Sequence, residues 1–213
     1  MIDGAPTLTD DELSLVLSRC TFVKASVEAT VDAFRGELAR YNIAVSREGT
    51  LQESADLREF LSPLSAPPTK FALVRHTAEW TLLLQNLEVR ILKSDPNMAR
   101  GISELLSCVT VTVVSVPGRN QFFLHESGAM LRTIECFRDS GSWVFHTQGD
   151  PQAFEDVAAY SRTNAASRFG AEALGKALVA LGIPFPIEAA SVGPGAGLER
   201  DETTIKVPAI TGM

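Results

Sequence analysis

The stretch from Val109 to Thr147 constrains the fold more than any other part of the chain. Val109-Thr110-Val111-Thr112-Val113 is an unbroken β-branched run whose stiff side chains suit a pleated surface. Pro117-Gly118 fits the centre of a type II turn, Gln121 to Glu126 returns, and Ser127-Gly128 turns the chain again. Met130 to Arg138 then mixes apolar and charged residues in near alternation, which gives a strand one packed face and one wet face. Asp139-Ser140-Gly141-Ser142 supplies a third turn. Trp143-Val144-Phe145-His146-Thr147 closes the series with rings best placed against a layer of helices. Four antiparallel strands in succession result, and the rest of the chain must cover them.

Helical cover is legible on both sides of this meander. Thr9-x-x-Glu12 is a capping box ahead of Leu13, Val16 and Leu17. Ser26 caps a longer helix in which Val27, Val31, Phe34, Leu38 and Tyr41 form one apolar stripe. Glu53 to Leu61 reads as a short helix, and Ser62-Pro63 with Ala66-Pro67-Pro68 as a rigid connector. Cys20 to Lys24, Ile43 to Ser46, Lys70 to Arg75 and Glu79 to Gln85 read as strands. Asp95-Pro96 starts a helix with Met98, Ile102 and Leu105 inward, because Pro fits the first helical position and Asp accepts from the free N–H groups. Asp150-Pro151 repeats that signal ahead of Phe154, Val157 and Tyr160. A last helix carries Leu174, Leu178 and Leu181 and stops at Gly182.

These elements predict an α+β fold: an antiparallel sheet with helices 27–41, 96–107 and 170–181 mainly on one face, similar in layout to the saddle of the TATA-binding protein. The order of helices, strands and Asp-Pro starts echoes between the two halves, with a junction near 90–95. Residues 1–188 read as one domain. Ala189 to Gly197 has the composition of a flexible linker, and Thr203 to Val207 is a β-prone tail segment.

Composition narrows the function classes. A net charge of −7 and a pI near 5.0, with no dense basic run, argue against a nucleic-acid partner. The acidic N-terminus is unlike a signal peptide and no long apolar run is present, so the sequence predicts a cytoplasmic protein with no membrane association. Cys20, Cys108 and Cys136 are odd in number and widely spaced, and with His76, His125 and His146 they show no ligand spacing. Neither a metal nor a cofactor is expected.

Catalytic motifs are incomplete. Gly170-x-x-x-x-Gly175-Lys176 approaches a phosphate-binding loop, but Ala177 replaces the magnesium-binding hydroxyl and the intervening residues favour helix. His125-Glu126 is the one local acid–base pair, and neighbours on a strand point to opposite faces. No catalytic residue is assigned, and the chain reads as non-enzymatic. The alternative is a small enzyme or ligand-binding protein with a pocket assembled in space from His125, His146, Arg132 and Glu135. Arg132, Glu135, Arg138, Glu155, Arg162 and Arg168 read as a solvated face, or as a setting for a Glu155–Arg168 ion pair.

From Gly141 to Ile183 the order Gly-x-Trp-x-Phe, Gly149-x-Pro151, Phe154-Glu155, Tyr160-x-Arg162, Arg168-Phe169 and Leu181-Gly182-Ile183 resembles a C-terminal pattern of uncharacterised bacterial proteins, some of them similar to immunity proteins of polymorphic toxin systems. The resemblance implies a bacterial, non-enzymatic protein that binds another protein, and it assigns no binding residues. A homodimer that exchanges the Thr203–Val207 tail is a further expectation.

Overall fold

The computed structural model describes residues 10–64, 69–86, 96–187 and 192–200. The meander forms as its turns dictate. Strands β5 (Val109–Val116), β6 (Arg119–Glu126), β7 (Ala129–Asp139) and β8 (Ser142–Gln148) pair antiparallel in chain order. Gly118 takes φ +81°, as a type II turn requires, while Ser127-Gly128 and Ser140-Gly141 hold positive φ at both positions. That double positive φ is the type I′ geometry whose twist matches a tight hairpin.

The other half of the sheet is built from β1 (Arg19–Val23), β2 (Val45–Leu51), β3 (Lys70–Arg75), β4 (Thr81–Gln85) and β9 (Gly195–Arg200). The nine strands of the described residues join in the order β2-β9-β3-β4-β1-β5-β6-β7-β8, each neighbour antiparallel. The α+β class with an antiparallel sheet is therefore the fold of this chain. Among the described residues the α-helices are α1 (Asp10–Leu17), α2 (Val27–Arg40), α3 (Ser54–Leu61), α4 (Pro96–Leu106) and α5 (Ala171–Ala180).

Strand alternation sorts the core into two layers. Cys20, Phe22, Val111, Val113, Phe122, Leu124 and Ile134 point to one face, where α1, α3 and α5 supply Leu13, Leu57, Leu61, Leu174 and Leu178. Val23, Phe71, Leu73 and Leu83 point to the other, where α2 and α4 supply Val31, Phe34, Leu38 and Ile102. Val31, Phe34 and Leu38 of the expected stripe on α2 are buried, and Ser26 accepts from the Ala29 amide as its cap. Helices thus lie on both faces. The placement of α5 beside α2 and α4 is corrected, and with it the expected layout of a single helix layer. The physical reason is parity: α5 packs on β6, and its Leu174 and Leu178 share a cluster with Phe122 and Leu124, whose face is opposite that of Leu73 and Leu83.

Further expectations change with the packing. Tyr41 and Leu105, assigned to inner stripes, are 54% and 50% exposed. Residues after Asp150 form bends and a 3-10 turn at Val157–Ser161 instead of an α-helix, and Val157 is 49% exposed. Gly193 to Gly197 is no linker from residue 195 onward, because β9 lies inside the sheet between β2 and β3. Its glycines answer to close approach: a Cβ at Gly195 would overlap the Leu73 carbonyl oxygen, and one at Gly197 the Phe60 ring. The echo between halves does not extend to pairing, since β1 pairs with β4 and β5 while the second half is a plain meander. Thr9, Asp95, Ala189 and Thr203–Val207 lie outside the described residues.

Candidate functional site

Among the described residues Arg132 is the bulkiest fully buried side chain, at 1% exposure. A buried guanidinium needs acceptors for nearly all of its N–H groups, and it has them. Its Nε and Nη2 donate to the two Glu155 carboxylate oxygens at 2.9 and 2.6 Å, and its Nη1 donates to the Gly149 carbonyl at 2.6 Å. Glu155 also accepts from the Tyr160 hydroxyl at 2.5 Å and from the Gln152 amide at 2.7 Å. Burial disfavours its charge, yet the hydrogen bonds from Arg132, Tyr160 and Gln152 prevail and hold the carboxyl below its ordinary range. This network explains the missing helix after Asp150: the Glu155 side chain is fixed on Arg132, and the chain bends to reach it. Arg168, the expected partner of Glu155, donates instead to the Arg162 carbonyl and sits over the Phe145 ring.

The network lies on the α5 face, as Arg132 shares its side of β7 with Ile134 and Cys136. Glu135 and His146 lie on the opposite side and face each other across β7 and β8. His125 is on that side as well, but under α4: its strand partner Thr110 donates to the Ala99 carbonyl in that helix. His125 is 2% exposed, its Nδ1 has no hydrogen bond among the described residues, and burial followed by the nearby Arg100 charge lowers its pKa to about 4. The four residues of the pocket alternative therefore do not meet in one cleft. Arg132 and His125 are internal; Glu135 and His146 share a surface.

That surface is a strip across β6, β7 and β8 at the end bearing the Pro117-Gly118 and Ser140-Gly141 turns. Arg119 opposes Phe137, and Phe137 opposes Val144; one position pair along, Gln121 opposes Glu135, and Glu135 opposes His146. The Gln121 Nε2 donates to the Glu135 carboxylate at 2.6 Å, and the Arg119 guanidinium lies 5.6 Å from the Phe137 ring centre. Val144 and His146 are exposed, and Phe137 and Val144 belong to neither buried cluster. Glu135 and His146 belong to the four residues expected in one pocket; Gln121 and Phe137 do not, and their place beside them follows from the turn positions, which set which residues lie opposite.

A cleft of about 240 Å³ opens on the α5 face among Phe154, Tyr160, Arg162, Arg168 and Lys176. Its cations are engaged, Arg162 with Asp156 at 3.6 Å and Lys176 with Glu172 at 2.7 Å. Gly175 and Lys176 sit inside α5, so their amides serve the helix rather than a phosphate. Trp80 is core at 2% exposure, whereas Trp143 on β8 is 37% exposed. Among the described residues no three His, Cys, Asp or Glu side chains are grouped to hold a metal ion, and no helix is long and apolar enough to cross a membrane.

No protein-family model, curated protein or solved structure matches this chain.

Proposed function

We propose that this chain is a non-enzymatic protein-binding module, of the immunity-like or adaptor kind, that receives a partner protein on the β6–β8 strip. The observation that carries the reading is the pairing of a half-exposed carboxylate with a partly exposed apolar pair, Phe137 and Val144. Glu135 is oriented by Gln121 and flanked by His146, with Phe137 and Val144 one position pair away. A Lys or Arg on a partner finds an acceptor there, and its aliphatic neighbours find the ring and the valine. The net charge of −7 favours approach of such a basic surface.

Affinity capture from a bacterial lysate with the wild-type chain, Glu135→Arg and Phe137→Ala, read by mass spectrometry, tests it. The reading predicts a partner retained by the wild type and depleted at least tenfold by Glu135→Arg, in line with about 1.4 kcal/mol or more for a reversed charge at an interface. Equal recovery by all three proteins, or recovery of chaperones alone, would refute it.

A further inference from the structure

The two edges of the sheet are built differently. The β2 edge carries the defences of a solvent-facing strand: Arg47 and Glu48, a register shift between Val45 and Arg47, and a bridge from Arg35 to Glu48 at 2.5 Å. The β8 edge carries none of these. From Ser142 to Gln148 it has no Asp, Glu, Lys, Arg or Pro, its pairing with β7 runs without a register shift, and Trp143 and Val144 are both exposed.

Register shows which groups are left open. A two-residue turn makes Asp139 and Ser142 a hydrogen-bonded pair, so Ser142, Val144, His146 and Gln148 bond inward to β7. Trp143, Phe145 and Thr147 then turn their N–H and C=O groups outward. Among the described residues no hydrogen bond to another segment uses these outward groups.

We infer that a second copy of this chain adds to β8, antiparallel about a two-fold axis at Phe145, so that two β6–β8 strips form one continuous face. In that register Trp143 faces Thr147 of the second copy, Phe145 faces Phe145, and Val144 faces His146. Every outward backbone group meets another, since residues 143, 145 and 147 pair only among themselves. Within β8 no ionised side chain lies opposite a like charge, which favours self-association of a chain of net charge −7, and the nearest cation to the axis, Arg168, lies over the Phe145 ring of its own copy. The arrangement closes on itself as a two-fold contact and removes an unguarded edge. It also places a second Glu135–Phe137 surface beside the first, so each copy contributes to the receptive face.

The inference is separate from the partner reading, because the edge and the strip are altered by different residues. Light scattering on the full chain across a concentration series gives the mass, with Thr147→Pro and Ile205→Pro as variants. Proline at 147 removes an outward N–H and leaves the β7–β8 ladder intact. The expected result is a species of twice 22.9 kDa for the wild type and Ile205→Pro, and a monomer for Thr147→Pro. Amide exchange on the wild type supplies a readout that needs no variant: protection of Trp143, Phe145 and Thr147 rises with concentration. A monomer at every concentration, a dimer without that protection, or a dimer that Ile205→Pro abolishes and Thr147→Pro spares would overturn the inference, the last in favour of tail exchange.

Discussion

Arg132 and Glu155 show at the residue scale how a polar group is kept in the interior of this sheet. The pair is hydrogen-bonded on nearly every donor, so its removal as a unit and its disruption on one side have different consequences. Arg132→Ala leaves Glu155 buried without its counter-charge and is expected to lower unfolding free energy by about 3–5 kcal/mol in urea titration. Arg132→Met with Glu155→Gln recovers a large part of that loss; equal losses in the two proteins would contradict the assignment. The titration of two groups points the same way. The lowered pKa of Glu155 means that its contribution is present above its ordinary range and is lost as pH falls through the lowered value. His125 is neutral in the fold with a pKa of about 4, so its contribution is present above roughly 6.5, its unfolded value, and is lost as pH falls from there toward 4. The urea midpoint is predicted to drop between pH 7 and pH 4.5, and His125→Leu to flatten part of the drop. An unchanged slope in His125→Leu would remove His125 from the account.

At the scale of elements, β9 is the part whose role was hidden. The meander, the capped α2 and the last helix were legible because each carries its own local signal: φ-positive turn residues, a Ser cap, and leucines at helical spacing. The Gly193–Gly197 run carries the signal of a linker, since glycine lowers strand propensity whatever its reason for being there. Here the reason is contact, with Leu73 and Phe60 occupying the space of the missing side chains. The segment after Asp150 misled for a related cause. Phe154, Val157 and Tyr160 have helical spacing, but a long-range bond from Glu155 to Arg132 overrides it, and nothing in the local pattern reports a partner 23 residues away. Of the site, Glu135, His146, Arg132 and His125 were legible only as members of one pocket; their separation follows from the strand register, which pairs Glu135 with His146, and from the burial of Arg132 and His125 under the Glu155 turn and α4. Gly195→Ala is accordingly expected to cost about 1–3 kcal/mol, because the clash is with backbone that cannot step aside. A thermal midpoint equal to wild type would show that β9 is not held in the sheet interior.

The whole molecule is a sheet with helices on both faces that stops short at one corner. Helices α2 and α4 fill their face over β1, β3 and β4 and reach the 127–128 turn, where the Arg100 Nε donates to the Gly128 carbonyl at 3.0 Å. Beyond that reach, Arg119, Gln121, Glu135, Phe137, Val144 and His146 form the strip proposed to receive a partner. Hydrogen exchange on the complex captured from lysate tests that claim most directly, compared with the free chain residue by residue. Binding is expected to slow exchange at Gln121, at Glu135 to Phe137 and at Val144 to His146, with α5 and α3 unchanged. Slowing confined to α5, α3 or the 240 Å³ cleft beside Tyr160, with the strip exchanging as in the free chain, would contradict it.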